Sequence, residues 1–224
     1  MANFFRPSSY AVMVSPDLKH AWINIPKNAS SFCQKVFDDN GWTMCHTDDL
    51  VDGILSANSI KKIVVLRDPV QRWISGFAQC MMDHNVDGIL EILDKPAFWD
   101  TVFFNPIYDD HTEYQHRFIG NAENIKYIKI QDKGPKLQQQ DTNRFYRDLS
   151  EYVRSTGGTS EFQFWKEPTN PADNDENKFA IYTKIHAILK ERKDYQKKLR
   201  SLHIKDYTLF ERFERFTTNE NSTN

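Results

Sequence analysis

The run Lys62-Ile63-Val64-Val65-Leu66 constrains the fold more than any other stretch of the chain. A compact apolar segment rich in β-branched residues is what a strand buried on both faces looks like. Such strands belong to parallel sheets covered by helices on either side. The run stops at Arg67-Asp68-Pro69. Pro69 suits the first turn of a helix and Asp68 its N-cap. Val70, Trp73, Ile74, Phe77 and Met81 then recur at a spacing that makes one apolar helical face. Upstream, Tyr10 to Val14 and Ala21 to Ile25 read as short strands around the turn Ser15-Pro16-Asp17-Leu18. A helix follows with Phe32, Val36 and Phe37 on one face, stopped by Asn40-Gly41. Trp42 to Cys45 reads as a strand and Asp48 to Ala57 as a short helix. Downstream, residues 86 to 120 read as helical or irregular, Ile125 to Ile130 as a strand and Arg144 to Val153 as a helix. Residues 157 to 177 are polar, carry Pro168 and Pro171, and read as a long loop; from Lys178 the chain turns helical again. Strands alternating with helices predict an α/β fold with a parallel sheet.

Composition narrows the partners. A formal net charge of −2 gives no reason to expect nucleic acid as a bulk partner, so an anionic ligand needs a local positive site. Three cysteines, Cys33, Cys45 and Cys80, are an odd number and form no CxxC pair, which suggests neither a disulfide framework nor a zinc knuckle and points to a reducing compartment. Residues 1 to 14 lack a basic segment followed by a long apolar one, so no signal peptide is expected. No run approaches the roughly 18 apolar residues of a spanning helix. A cytoplasmic location without a membrane segment is the expectation.

Two segments carry chemistry. In the first, a strand runs through Pro26-Lys27-Asn28-Ala29-Ser30-Ser31 into a helix. A helix N-terminus offers unpaired N–H groups and the positive end of the dipole, small residues let the backbone close around an anion, and Lys27 can lie against it. This is P-loop logic without the GxxxxGK[ST] pattern. An ordinary strand–turn–helix with serine caps would read the same way. In the second, Arg67 stands at the carboxyl end of the buried strand, where α/β sheets place ligand contacts, and Ser75 follows eight residues later. Arg67 can offer a charged fork and Ser75 a hydroxyl to one phosphate, or Arg67 can simply pair with Asp68.

In order and spacing, the two segments resemble the donor-binding elements of the PAPS-dependent sulfotransferases, over residues 21 to 80. Pro26-Lys27-Asn28-Ala29-Ser30-Ser31-Phe32 resembles their 5′-phosphosulfate loop, PK(S/T)G(T/S)(T/S), and Arg67-Asp68-Pro69 through Ser75-Gly76-Phe77 resembles their 3′-phosphate motif. Ala29 departs from the usual glycine; it fits if its φ is negative and weakens binding if φ must be positive. The form RDPVQRWISGF and the segment Ile204 to Phe210 look most like the carbohydrate (Golgi-type) branch and its microbial and viral relatives. The resemblance implies a single domain over 1–224, a P-loop-kinase-like three-layer α/β sandwich with a mostly parallel central sheet, and a lid at 157–177 where Trp165, Lys166 and Asn170 could act.

It also implies transfer of a sulfuryl group from PAPS to a hydroxyl or amine of a carbohydrate or small molecule, with PAP as product and no metal required. Lys27, Asn28, Ala29, Ser30, Ser31 and Phe32 would hold the 5′-phosphosulfate, and Arg67 and Ser75 the 3′-phosphate. In-line transfer needs a base for the acceptor proton, and histidine suits it. His46, 21 residues before Arg67, matches the place of the family's catalytic histidine, with Asp48 and Asp49 as fallbacks. His111 is the alternative, because Asp109 to Gln115 resembles the DxHxxxQ segment near the acceptor. A metal set of Asp109, Asp110, His111 and His116 is too loose to favour. The other readings are a P-loop small-molecule kinase, which lacks its lysine–serine pair here, and a non-catalytic nucleotide-binding protein.

Overall fold

A computed structural model describes residues 11–84, 87–130, 139–159 and 176–219. In chain order its elements are β1 (Val12–Val14), β2 (His20–Ile23), α1 (Ser30–Asp39), β3 (Thr43–Cys45), α2 (Asp48–Ser56), β4 (Lys61–Arg67), α3 (Pro69–Asp83), α4 (Ile89–Ile92), α5 (Pro96–Phe104), α6 (Gln115–Ile119), β5 (Ile125–Ile130), α7 (Gln139–Ser155), α8 (Glu176–Glu191), α9 (Lys193–Leu202) and α10 (Ile204–Asn219). The chain divides into two compact units, Met1–Arg67 with Arg117–Thr169, and Asp68–His116 with Asn170–Asn224.

The first unit holds a five-stranded sheet in the order β3-β1-β2-β4-β5. β4 runs parallel to β2 and β5, while β1 runs antiparallel to β2 and β3. The sheet is therefore mixed: β2, β3, β4 and β5 run in one direction and β1 alone opposes them. The cause is local. β1 and β2 are joined by a tight turn in which Leu18 takes a left-handed φ of 58°, and a connection that short can join only antiparallel strands. Successive side chains point to opposite faces. Met13, Trp22, Ile63, Val65 and Ile128 pack with Val36 and Phe37 of α1 and Phe145 and Leu149 of α7. Val12, Val14 and Ala21 pack with Val51 and Ile54 of α2. Helices thus cover both faces of the sheet, an arrangement compatible with three layers. The second residue of β4 is a buried lysine: Lys62 Nζ donates to the Ala57 carbonyl at the end of α2, 2.6 Å away, where a cation is favoured.

The second unit is helical. Val70, Trp73, Ile74, Phe77 and Met81, the expected face of α3, pack with Trp99 and Val102 of α5, Ile181, Ile185 and Leu189 of α8, Leu199 of α9 and Tyr207 of α10. Trp73 and Trp99 are buried, and their indole N–H groups donate to the Pro106 and Leu93 carbonyls at 2.7 and 2.9 Å. Trp22 and Trp42 belong to the core of the first unit, so all four tryptophans are packing residues. α8 begins at Glu176, two residues before the expected start. Residues 160–175, with Trp165, Lys166 and Asn170 of the expected lid, lie outside the described residues. No described helix is long and apolar enough to cross a membrane.

Candidate functional site

In the first unit the Lys27 loop meets Arg67, the first residue of the second segment. β2 and β4 are parallel neighbours, so their carboxyl ends open on the same edge of the sheet. The Asn28 side chain donates to the Val65 carbonyl at 2.7 Å, and Arg67 Nη1 donates to the Lys27 carbonyl at 3.1 Å. Residues 37 and 40 positions apart are thereby tied together. Asn28 is buried, and Lys27, Ala29 and Ser30 are half-buried.

The loop's backbone is unusual. Lys27 (φ 67°) and Ala29 (φ 56°, ψ 32°) both sit in the left-handed region, with Asn28 between them. Left-handed residues in a tight turn direct successive N–H groups to one side, which makes an anion-binding concavity. Ala29 is the N-cap of α1 and supplies no side-chain cap, whereas α3 is capped by Asp68, which accepts from the Gln71 N–H at 3.0 Å. The positive end of the α1 dipole thus faces the loop without a side-chain cap from Ala29. The condition attached to Ala29 resolves on the unfavourable side, since its φ is positive. Ala29→Gly removes a left-handed alanine and is expected to stabilise the chain by about 1 kcal/mol. A thermal melt that does not rise checks and overturns this.

His46 follows β3, whose Cys45 is in register with Val12, itself in register with Ile23 of β2. His46 is exposed and lies at the same end of the sheet as the Lys27 loop. It stands on an edge strand, however, with β1 between it and β2, a lateral separation of about 10 Å at normal strand spacing. β3 precedes β4 in sequence but is not its neighbour. Asp48 and Asp49 are exposed in the first turn of α2. The cysteines are free thiols; burial pushes Cys33 and Cys45 up, and Cys80 up to about 12, so none is a ready thiolate.

In the second unit, Ser75 lies half-buried within α3. Beside α3 runs the segment Asp109 to His116, held from several sides. Arg72, 1% exposed, donates to the Glu113 and Asp110 carbonyls. Gly76 admits the His111 carbonyl against its own backbone. Asp206, also 1% exposed, accepts from the Gln115 and His116 N–H groups, both at 2.9 Å. Tyr207, next to Asp206, donates its hydroxyl to the Asp68 carboxylate at 3.0 Å. The segments DPVQRWISG, DDHTEYQH and KDY are thus joined in one unit.

That segment carries two imidazoles on carboxylates. His111 Nδ1 is 2.8 Å from Asp109 Oδ2, and His116 Nδ1 is 2.7 Å from Asp206 Oδ1. Burial raises the Asp109 carboxyl, but its bonds with His111 and Thr112 outweigh that and hold it below the usual range. Burial raises Asp206 as well; the His116 and His203 rings and the two N–H groups hold it far below. His116 and Asp206 are 90 positions apart, so no sequence spacing reveals the pair; only the placement of Asp206 in the KDY motif hints at it. Arg72 looks like a surface arginine of an amphipathic helix until the loop is seen. Among the described residues no group of three or more His, Cys, Asp or Glu side chains is gathered to hold a metal ion. Compared with protein-family models, curated proteins and solved structures, the chain matches none.

Proposed function

We propose that the protein is a sulfotransferase that takes its sulfuryl group from PAPS. The observation that carries the reading is the meeting of the Lys27 loop and Arg67 at the carboxyl ends of β2 and β4, through the Arg67–Lys27 and Asn28–Val65 hydrogen bonds. A loop that resembles one donor-binding element of an enzyme family and the arginine that opens a resemblance to the other occupy the same sheet edge, and the loop has left-handed residues of the kind that form an anion cradle. In this reading the N–H groups around Ala29 to Phe32 and the Lys27 ammonium hold the 5′-phosphosulfate. Lys27 also offsets the charge that grows on the bridging oxygen as the S–O bond breaks. Arg67 takes the 3′-phosphate. A histidine takes the acceptor's proton, and the acceptor is a hydroxyl or amine of a carbohydrate or small molecule.

Calorimetric titration with PAP, with ATP and adenosine 5′-phosphosulfate as controls, tests this. Binding should depend on the 3′-phosphate, and Arg67→Ala should weaken it at least about tenfold, the value of one charge-assisted hydrogen bond. Preference for ATP with Mg²⁺ would replace the reading with the kinase alternative.

A further inference from the structure

We propose that the exposed face of α8 docks a second copy of this chain, because a protruding phenylalanine, a socket able to receive it and two opposite charges lie on that face about a single midpoint. α8 packs into the helical unit through Lys178, Ile181, Ile185 and Leu189. A surface helix usually turns charged and polar residues away from its buried stripe. Here the exposed positions are Glu176, Phe179, Thr183, Ala187 and Lys190, spaced three, four, four and three residues apart along one side of the helix. Only the two ends of that stripe are charged. Phe179 is 60% exposed.

A lone exposed phenylalanine is ordinary, but this one borders a groove on its own helix. The groove has a volume of about 470 Å³ and is lined largely by Ala180, Thr183, Ala187 and Ile188. Lys184 also lines it and is held by the Asp94 carboxylate, 2.6 Å from Nζ. Lys184, Ala187, Ile188 and Glu191 stand at i, i+3, i+4 and i+7, the outline of the hole that receives a knob when two helices pack. The small Ala187 leaves that hole open.

The symmetry of the stripe selects the occupant. In a two-fold dimer, residue i of one copy meets residue j of the other, and j meets i. In an antiparallel helix pair all facing residues therefore share one midpoint. Phe179 and Ala187 are each four positions from Thr183, and Glu176 and Lys190 are each seven. One axis at Thr183 seats each Phe179 in the other copy's socket and sets each Glu176 against the other copy's Lys190. Thr183 meets its own counterpart at the axis, where a small residue permits close approach. A partner of different sequence would have to carry the same spacing in reverse, whereas a second copy carries it by identity. One pair of four-turn helices buries less than the roughly 1,200 Å² of a stable interface, so the dimer is transient, with a dissociation constant in the micromolar range.

Sedimentation velocity of the full chain, from micromolar to near-millimolar concentration, tests this. The unmodified chain should pass from monomer to dimer as concentration rises. Phe179→Ala should raise the dissociation constant at least about tenfold, as loss of a central aromatic anchor does. Glu176→Lys and Lys190→Glu each set like charges across the axis and should each raise it about fivefold. The two swaps together restore opposite charges and should return it to within about twofold of the unmodified value. Helix stability runs the other way, because the double swap places the wrong charge at both ends of the α8 dipole; recovery therefore reports pairing between copies. A chain that stays monomeric throughout overturns the proposal. A dimer that Phe179→Ala leaves equally tight, or a double swap no better than the single ones, overturns it as well.

Discussion

Replacing Gly76 with alanine is expected to destabilise the protein by about 3 kcal/mol, the upper range for overpacking a filled interior. A Cβ at this position would press into the His111 carbonyl, 2.5 Å from its carbon and 3.2 Å from the Thr112 nitrogen. Both atoms are backbone, so no side chain can swing aside. The segment cannot easily retreat either. Arg72 grips its carbonyls at Asp110 and Glu113, and Asp206 takes its N–H groups at Gln115 and His116. Retreat would break charge-assisted bonds in a buried place, where unpaired groups are costly. At about 2–4 °C per kcal/mol for a chain of this size, the melting temperature should fall by roughly 6–12 °C. Gly53 in α2 supplies the control. Nothing lies within 4 Å of a Cβ there, so Gly53→Ala should be neutral or stabilising by up to about 1 kcal/mol. Equal melts for the two variants would show that the close approach at Gly76 does not matter.

The second large effect is expected at Asp206. Asp206→Ala leaves the Gln115 and His116 N–H groups and the His116 ring without their acceptor, and removing one partner of a buried ionic contact costs about 3–5 kcal/mol. Chemical denaturation should show a lower midpoint with little change in slope, because the surface exposed on unfolding hardly alters. The same carboxylate predicts a pH dependence. Its folded pKa lies well below the ordinary value: burial raises it, but the hydrogen bonds from His116 and the Gln115 and His116 N–H groups, with the nearby His203 ring, outweigh that. A depressed pKa contributes stability that is complete above the unfolded value, about 3.9, and is lost as pH falls through the folded value. The unmodified protein should therefore lose stability below about pH 4 more steeply than Asp206→Ala. Parallel curves for the two proteins would contradict this linkage.

The elements most legible in the sequence are those dictated by local chemistry. The β-branched run Lys62 to Leu66 is a strand because such residues fit a pleated, doubly buried surface. Asp68-Pro69 starts α3 because a carboxylate caps and a proline pre-sets the first turn, and both do so here. The apolar face of α3 is buried as its spacing requires. The phosphate-like loop between β2 and α1 is likewise visible as a run of small residues before a helix.

Other features are decided only by tertiary structure. Pairing direction depends on which strands the turns and crossovers bring together, so a tight hairpin makes the sheet mixed and leaves β3 on its edge, away from β4. The left-handed backbone at Lys27 and Ala29 is invisible in residue types that normally avoid it. The contacts of Arg67 with the Lys27 carbonyl, of Gly76 with the His111 carbonyl and of Asp206 with His116 span tens of positions. Periodicity and capping rules act over a few residues, and long-range hydrogen bonds obey neither. The sequence by itself therefore determined the strand, the helix starts and the two anion-binding candidates. Which backbone approaches which, and which histidine a buried carboxylate holds, only the packed chain decided.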